Sequence, residues 1–343
     1  MNEPTAGSSW LDRIQAEASL DWPRYRIFGM TFASDYAFEK YLPAGEGYPD
    51  LLFTLVNSRP ACSSWEALEP TYVSPYLNPA GDNFLSLYTT SGCWVIRYAG
   101  IADFYLLDRG IICHILDPDQ QDLAAVHILP AVLSVWLELN KRVFALHASA
   151  VVVGRQVIAF LGHSGHGKST LAAAFAQADY PLLSDDILLV DDRNGEFVAR
   201  PGYPFMRLWP DEAEWFYGGY KEFENIQAGY GKLRVPLSAD HFGKFYDRAA
   251  PLTRIYLPQR RPASDGSAII RFTSISPQEV VIELMRFAYS SRLSEALGRN
   301  AERLDFFARL AGKVPLRRLA IPNGYEHLPA VLSALLVDLS DQS

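Results

Sequence analysis

Gly162-His163-Ser164-Gly165-His166-Gly167-Lys168-Ser169-Thr170 stands between the apolar run Gln156-Val-Ile-Ala-Phe-Leu161 and the helix-forming run Leu171-Ala-Ala-Ala-Phe-Ala176. These residues satisfy G-x-x-x-x-G-K-[ST], and the flanks supply what a P-loop needs, a buried strand before it and a helix after it. Gly162, Gly165 and Gly167 let successive backbone N–H groups turn inward at the positive end of the following helix, so the natural guest is an anion. A phosphate chain fits best. On this reading Lys168 reaches the β/γ-phosphates and Ser169 places its hydroxyl on Mg²⁺. His163 and His166 occupy variable positions, where side chains usually point outward; Ser164 and Thr170 complete the loop.

Working outward, Val143 to Val153 and Val157 to Leu161 read as strands joined across Gly154-Arg155. Two acidic pairs follow the loop. Tyr180-Pro-Leu-Leu183 leads into Ser184-Asp185-Asp186, and Ile187-Leu-Leu-Val190 leads into Asp191-Asp192. A strand ending at Leu183 would deliver Asp185 and Asp186 beside the phosphate loop, where α/β sites are built. Asp191-Asp192-Arg193-Asn194-Gly195 then becomes a hairpin turn, a common use of such residues. Asp185 and Asp186 are therefore the expected site acids.

The chain reads as two domains, 1–118 and 119–343. The first is a smaller, mainly antiparallel β unit of short apolar runs, from Tyr25-Arg-Ile-Phe28 to Ile111-Ile-Cys-His-Ile115, punctuated by Pro/Gly-rich turns. The second is α/β and opens with helical spacing over residues 120–142, with His127 on its apolar face and a kink expected at Pro130. Farther on, Phe197 to Trp209, Leu252 to Leu257 and Ala268 to Thr273 read as strands. Ser276-Pro277-Gln278-Glu279 carries a helix cap with its capping box. Two more helices are expected, from Glu302 to Leu310 and from Glu326 onward.

With 343 residues, 49% hydrophobic and 20% charged, the composition is that of a folded globular chain. A net charge of −8 argues against a broad basic face, so neither nucleic acid nor membrane is an expected partner. Three cysteines, Cys62, Cys93 and Cys113, are too few and too scattered for a disulfide framework. The start lacks a basic and apolar leader, and the apolar run Ala124 to Leu139 is broken by His127, Pro130 and Glu138. A cytoplasmic location is expected.

Leu146-His147-Ala148-Ser149-Ala150, the P-loop and Leu183-Ser184-Asp185-Asp186, in that order, resemble the C-terminal catalytic domain of the HPr kinase/phosphorylase family. The resemblance covers residues 140 to 210 well and the rest of the second domain loosely. Taken alone, His147 beside Phe144 and Leu146 reads as a core histidine. The resemblance instead implies a place for it near the active site, and implies Asp185 as proton acceptor from a serine hydroxyl. The stretch Pro201 to Trp209 lacks the acid that helps hold the metal in that family, so Asp186 is expected to share the metal with Ser169. Tyr25-Arg-Ile-Phe-Gly-Met30 is similar to a divergent branch that includes the kinases of lasso-peptide biosynthesis, which phosphorylate the C-terminal serine of a precursor peptide.

Further cations are needed to offset transition-state charge. Arg207, Lys232 and Arg234 are the candidates, the last two in a Gly/Tyr-rich stretch expected to cover the nucleotide. The expected activity is ATP- and Mg²⁺-dependent phosphorylation of a serine in a peptide or small protein, with the first domain as acceptor-binding region and a homo-oligomer allowed. HPr(Ser) kinase/phosphorylase, an ATPase switch and a small-molecule kinase are the alternatives.

Overall fold

The computed structural model describes residues 22–60, 65–227, 230–237, 243–261 and 270–340. Cys62, the His127 side chain and the first residues of the strand expected over Ala268 to Thr273 lie outside them. Contacts divide the chain into one unit of Met1–Arg142 with Arg292–Arg299, and a second of Val143–Ser291 with Asn300–Ser343. The division falls after the helix Leu129–Lys141, which was expected to open the second domain and instead belongs to the first unit. Arg142, left-handed at φ 53°, ends that helix.

The first unit is built on one sheet of β1 (Arg24–Ile27), β2 (Met30–Ser34), β3 (Leu51–Val56), β4 (Tyr72–Val73), β5 (Leu85–Thr89), β6 (Trp94–Tyr98), β7 (Ala102–Leu107) and β8 (Gly110–Ile115). The order is β1-β2-β3-β8-β7-β6-β5-β4. It is mixed: β2–β3 and β3–β8 run parallel, and the other neighbours antiparallel. β7 and β8 are buried along their whole lengths, which is why they read as nearly continuous apolar runs. The helix Leu129–Lys141 anchors to this sheet through Trp136, whose indole N–H donates to Leu107 O at 2.6 Å. A π-helical turn, Leu123–Ile128, leads into the helix with a 50° bend, so the kink expected at Pro130 is made just before it. The buried charge of Asp103 is matched across the strands by Arg97, at 2.7 and 3.1 Å, whose guanidinium also lies 4.8 Å from the Trp65 ring.

In the second unit, β9 (Phe144–Val153) and β10 (Gln156–Leu161) form the hairpin across Gly154-Arg155. β11 (Leu182–Ser184), β12 (Ile187–Arg193), β13 (Glu196–Ala199), β14 (Phe205–Leu208), β15 (Glu224–Gln227), β16 (Tyr230–Pro236), β17 (Ala250–Arg261), β18 (Arg271–Ser274) and β19 (Leu316–Pro322) complete its strands. The main sheet runs β10-β9-β12-β13-β17-β19-β18, with β11 also on β9 and β10 also parallel to β17. Alternate residues of β10 enter different cores. Val157, Ala159 and Leu161 meet Leu284, Phe306 and Phe307 on helices Pro277–Arg286 and Asn300–Ala311. Ile158 and Phe160 meet Leu171, Phe175 and Leu335 on helices Lys168–Gln177 and Leu328–Ser340. A strand covered by helices on both faces is apolar at every position. The unit is therefore mixed α/β.

One expectation changes here. The run Phe197 to Trp209 is not one strand: β13 joins the main sheet, Pro201 and Pro204 lie in the break after it, and β14 joins a separate β14-β16-β15 sheet. The stretch with Lys232 and Arg234 is a strand of that sheet. Helix Pro277–Arg286 carries the expected cap, with Glu279 N–H donating to Ser276 Oγ at 3.3 Å and Ser276 N–H to Glu279 Oε2 at 3.0 Å. No single helix among the described residues is long and apolar enough to cross a membrane.

Candidate active site

β9 brings the site together. On one side, Leu161, the last residue before the glycine-rich loop, pairs with Ala148. On the other, β11 and β12 run along β9 one after the other, Ser184 pairing with Ala150 and Ile187 with His147. Asp185 and Asp186 fill the break between them. The strand after the loop helix is thus an antiparallel neighbour of β9. Asp186 is left-handed at φ 73°, and Ile187 N–H donates to Asp185 O at 3.0 Å across it. This strained three-residue turn sends the two carboxylates in different directions.

The loop enters helix Lys168–Gln177 through Gly165 (φ 82°) and Gly167 (φ 87°), conformations open to glycine. Lys168 is 6% exposed and its ammonium donates to His163 O at 3.0 Å. Burial pulls its pKa down to about 8, against the opposing pull of Asp185 and Asp186. A cavity of about 240 Å³ lies over Ser164, Gly165, Gly167, Lys168, Ser169 and Thr170. Lys232 also lines it, 5.6 Å from the centre of the Trp209 ring.

Asp185 is 2% exposed. Its Oδ1 accepts the hydroxyls of Ser149 at 2.5 Å and Ser169 at 2.9 Å, and its Oδ2 accepts Arg207 N–H at 2.8 Å. Such a carboxylate is a clamp on Ser169, enclosed from any incoming hydroxyl. Asp186 keeps 22% of its side chain exposed. Its Oδ1 stands 3.1 Å from His147 Nε2, and its Oδ2 accepts Arg207 Nη1 at 3.0 Å. Burial alone would raise this carboxyl, but Arg207 and His147 outweigh it and hold Asp186 well below the usual carboxylate range.

The candidate cations divide. Lys232 reaches the cavity. Arg207 donates Nη1 to Asp186, and its pKa rises because Asp186 outweighs the burial penalty. Arg234 is bonded to Glu224 and lies over the Phe205 ring. Neither guanidinium lines the cavity over the loop. His163 packs its ring on Phe287 at 4.7 Å and His166 at 5.5 Å. Both imidazoles are held below their ordinary pKa by burial and then by neighbouring cations.

Four residues escaped sequence reading. Glu212 accepts the Thr170 hydroxyl and, at 2.9 Å, Trp209 N–H, joining the loop helix to helix Pro210–Tyr217. Trp209-Pro210-Asp211-Glu212 is a helix-start pattern that could have located it. Arg260 donates to Thr170 Oγ1 at 3.2 Å and covers Gly167. Tyr325 and Asp211 are bonded at 2.8 Å and line the same cavity. No local pattern links Arg260 or Tyr325 to a loop so distant in sequence.

Among the described residues, no group of three or more His, Cys, Asp or Glu stands close enough to hold a metal by itself. What the site offers is a pair of hard oxygen donors, the Ser169 hydroxyl and the Asp185 carboxylate that accepts it. That set suits Mg²⁺, which takes few protein ligands and completes its shell with phosphate and water.

Comparison with family models and with curated proteins finds no match. Among solved structures, the Hpr(Ser) kinase/phosphatase from Coxiella burnetii aligns with 12% identity and a TM-score of 0.29, over 58% of this chain and 99% of that one.

Proposed function

We propose that the chain is an ATP-dependent kinase that moves the γ-phosphoryl group onto a serine hydroxyl of a peptide or small protein. The observation that carries this reading is the Ser169–Asp185 bond, which ties a glycine-rich, lysine-bearing helix start to a strand break holding a second, partly buried acid. Bound MgATP would supply the phosphoryl group and a leaving diphosphate. The loop N–H groups, Lys168 and Lys232 cradle the phosphates as a P-loop does. Ser169 is the metal-facing hydroxyl, and Asp185 orients it. The metal role given to Asp186 from sequence therefore passes to Asp185.

Asp186 takes the role of proton acceptor, with His147 steadying the carboxylate oxygen that faces it. A weakly basic carboxylate suffices, because phosphoryl transfer passes through a loose transition state with little bond formation to the incoming hydroxyl. Arg207 positions both acids, through its backbone and through its guanidinium.

The test is transfer of label from γ-labelled ATP to serine peptides in the presence of Mg²⁺. A peptide ending in serine, as in lasso-type precursors, and HPr are both to be tried. Phosphoserine in an acceptor supports the reading. ATP hydrolysis with no labelled peptide or protein would replace it with the switch reading.

A further inference from the structure

A second cavity, of about 250 Å³, lies beside the one over the glycine-rich loop and shares Gly167, Thr170, Arg260 and Tyr325 with it. Its other walls are Leu171, Ile321, Pro322, Gly324 and Leu328. Each cavity alone is below the usual size of a small-molecule site, roughly 300–1,000 Å³, and the two together fall within it. One holds backbone N–H groups and lysines. The other is apolar.

The polar side chains of the second cavity are largely engaged. The Thr170 hydroxyl donates to Glu212 and accepts from Arg260. The Tyr325 hydroxyl donates to Asp211, and its pKa is raised by burial and by that carboxylate. The Tyr325 ring is braced by Trp215, stacked at 5.4 Å and 30°. Arg260 is exposed and has donors to spare at the wall common to both cavities. A planar guanidinium there suits a phosphate oxygen.

We propose that this second cavity is the nucleobase slot, that Arg260 grips the α-phosphate at the shared wall, and that the slot holds a purine ring without strong choice between adenine and guanine. The proposal rests on the kinase reading above, since it takes the phosphate chain to lie on the loop. Sites that read hydrogen-bonding groups discriminate by about 10⁴–10⁵, whereas apolar pockets reach only about 10–200. A slot of Leu171, Ile321, Pro322, Leu328 and the Tyr325 ring belongs to the second kind. Purine nucleoside triphosphates of either base are the ligand class.

The test is calorimetric titration of the full chain with MgATP, MgGTP and inorganic tripolyphosphate, repeated on Tyr325→Ala, Leu328→Ala and Arg260→Ala. ATP and GTP are expected to bind within about tenfold of each other and at least about tenfold more tightly than tripolyphosphate. Leu328→Ala, which touches only the slot, should weaken both nucleotides and leave tripolyphosphate unchanged; Tyr325→Ala should weaken the nucleotides more than tripolyphosphate. Arg260→Ala should weaken all three. Failure of tripolyphosphate to bind the unaltered chain would overturn the phosphate-loop reading itself. Tripolyphosphate binding as tightly as ATP, an ATP preference over GTP beyond about 200-fold, or nucleotide affinity unmoved in both slot variants would overturn the slot alone.

Discussion

Ser169 and Asp185 are joined by a 2.9 Å hydrogen bond that links the first turn of the loop helix to the break between β11 and β12. The same oxygen of Asp185 accepts Ser149, so helix, β9 and the acid-bearing break are held at one point. The Asp185 amide variant would turn part of a triple acceptor into a donor facing donors. Asp185→Asn is therefore expected to lose about 1–3 kcal/mol of stability. Its Mg²⁺-dependent gain in nucleotide affinity should also fall, read by titration with and without the metal.

Asp186 and His147 form the pair that meets solvent. Asp186→Asn should lower phosphoryl transfer by about 10²–10⁴ while nucleotide affinity changes only a few-fold. Single-turnover kinetics beside equilibrium binding separate the two effects. Full transfer in Asp186→Asn, with transfer lost in a folded Asp185→Asn, would restore the sequence-based choice of Asp185 as proton acceptor.

Arg207 stabilises a mostly buried negative charge. Removing its guanidinium strands Asp186, and Arg207→Ala should cost about 3 kcal/mol, the low end for a broken buried pair because Asp186 retains some solvent. The pH dependence has a definite sign. A carboxyl depressed in the folded state adds stability above its unfolded pKa and loses it as pH falls through the folded value. The gap between wild type and Arg207→Ala should accordingly be widest near neutrality and shrink in acid, as measured by denaturant midpoints across pH.

Lys168, at about 8, titrates near physiological pH in the free protein. Bound phosphate favours its charged form, so below that value the lysine is already protonated and its own contribution to affinity is flat. Above it, binding must draw a proton from solvent, and affinity for tripolyphosphate should fall by up to about tenfold per pH unit. Lys168→Ala should remove this dependence together with most of the affinity, as titrations from pH 6 to 9 would show.

Local pattern carried much of this molecule. The glycine-rich loop, the apolar β10 before it and the Ser276 cap are set by neighbours in sequence and could be read there, whereas the hairpin turn expected over Asp191 to Gly195 is shorter: Asp191, Asp192 and Arg193 pair with Val198, Phe197 and Glu196, and Asn194 and Gly195, with φ of 57° and 89°, make the turn. Of the two acidic pairs the sequence offers, the second is engaged in ion pairs, Asp191 with Arg200 and Asp192 with Arg309.

Which partners each acid meets was decided by tertiary structure. Asp185 and Asp186 are adjacent and chemically identical in sequence, yet the left-handed turn at Asp186 sends one carboxylate into a cage of donors and the other toward His147. The fate of the cations follows the same rule. Arg207, Lys232 and Arg234 look alike as charges on a chain, but strand pairing puts Lys232 at the cavity and pairs the two arginines with acids. Periodicity and turn chemistry depend on residues a few positions apart, so a sequence displays them. Burial and charge pairing depend on residues brought together across β9 and from as far as Arg260 and Tyr325, and only the folded chain decides those.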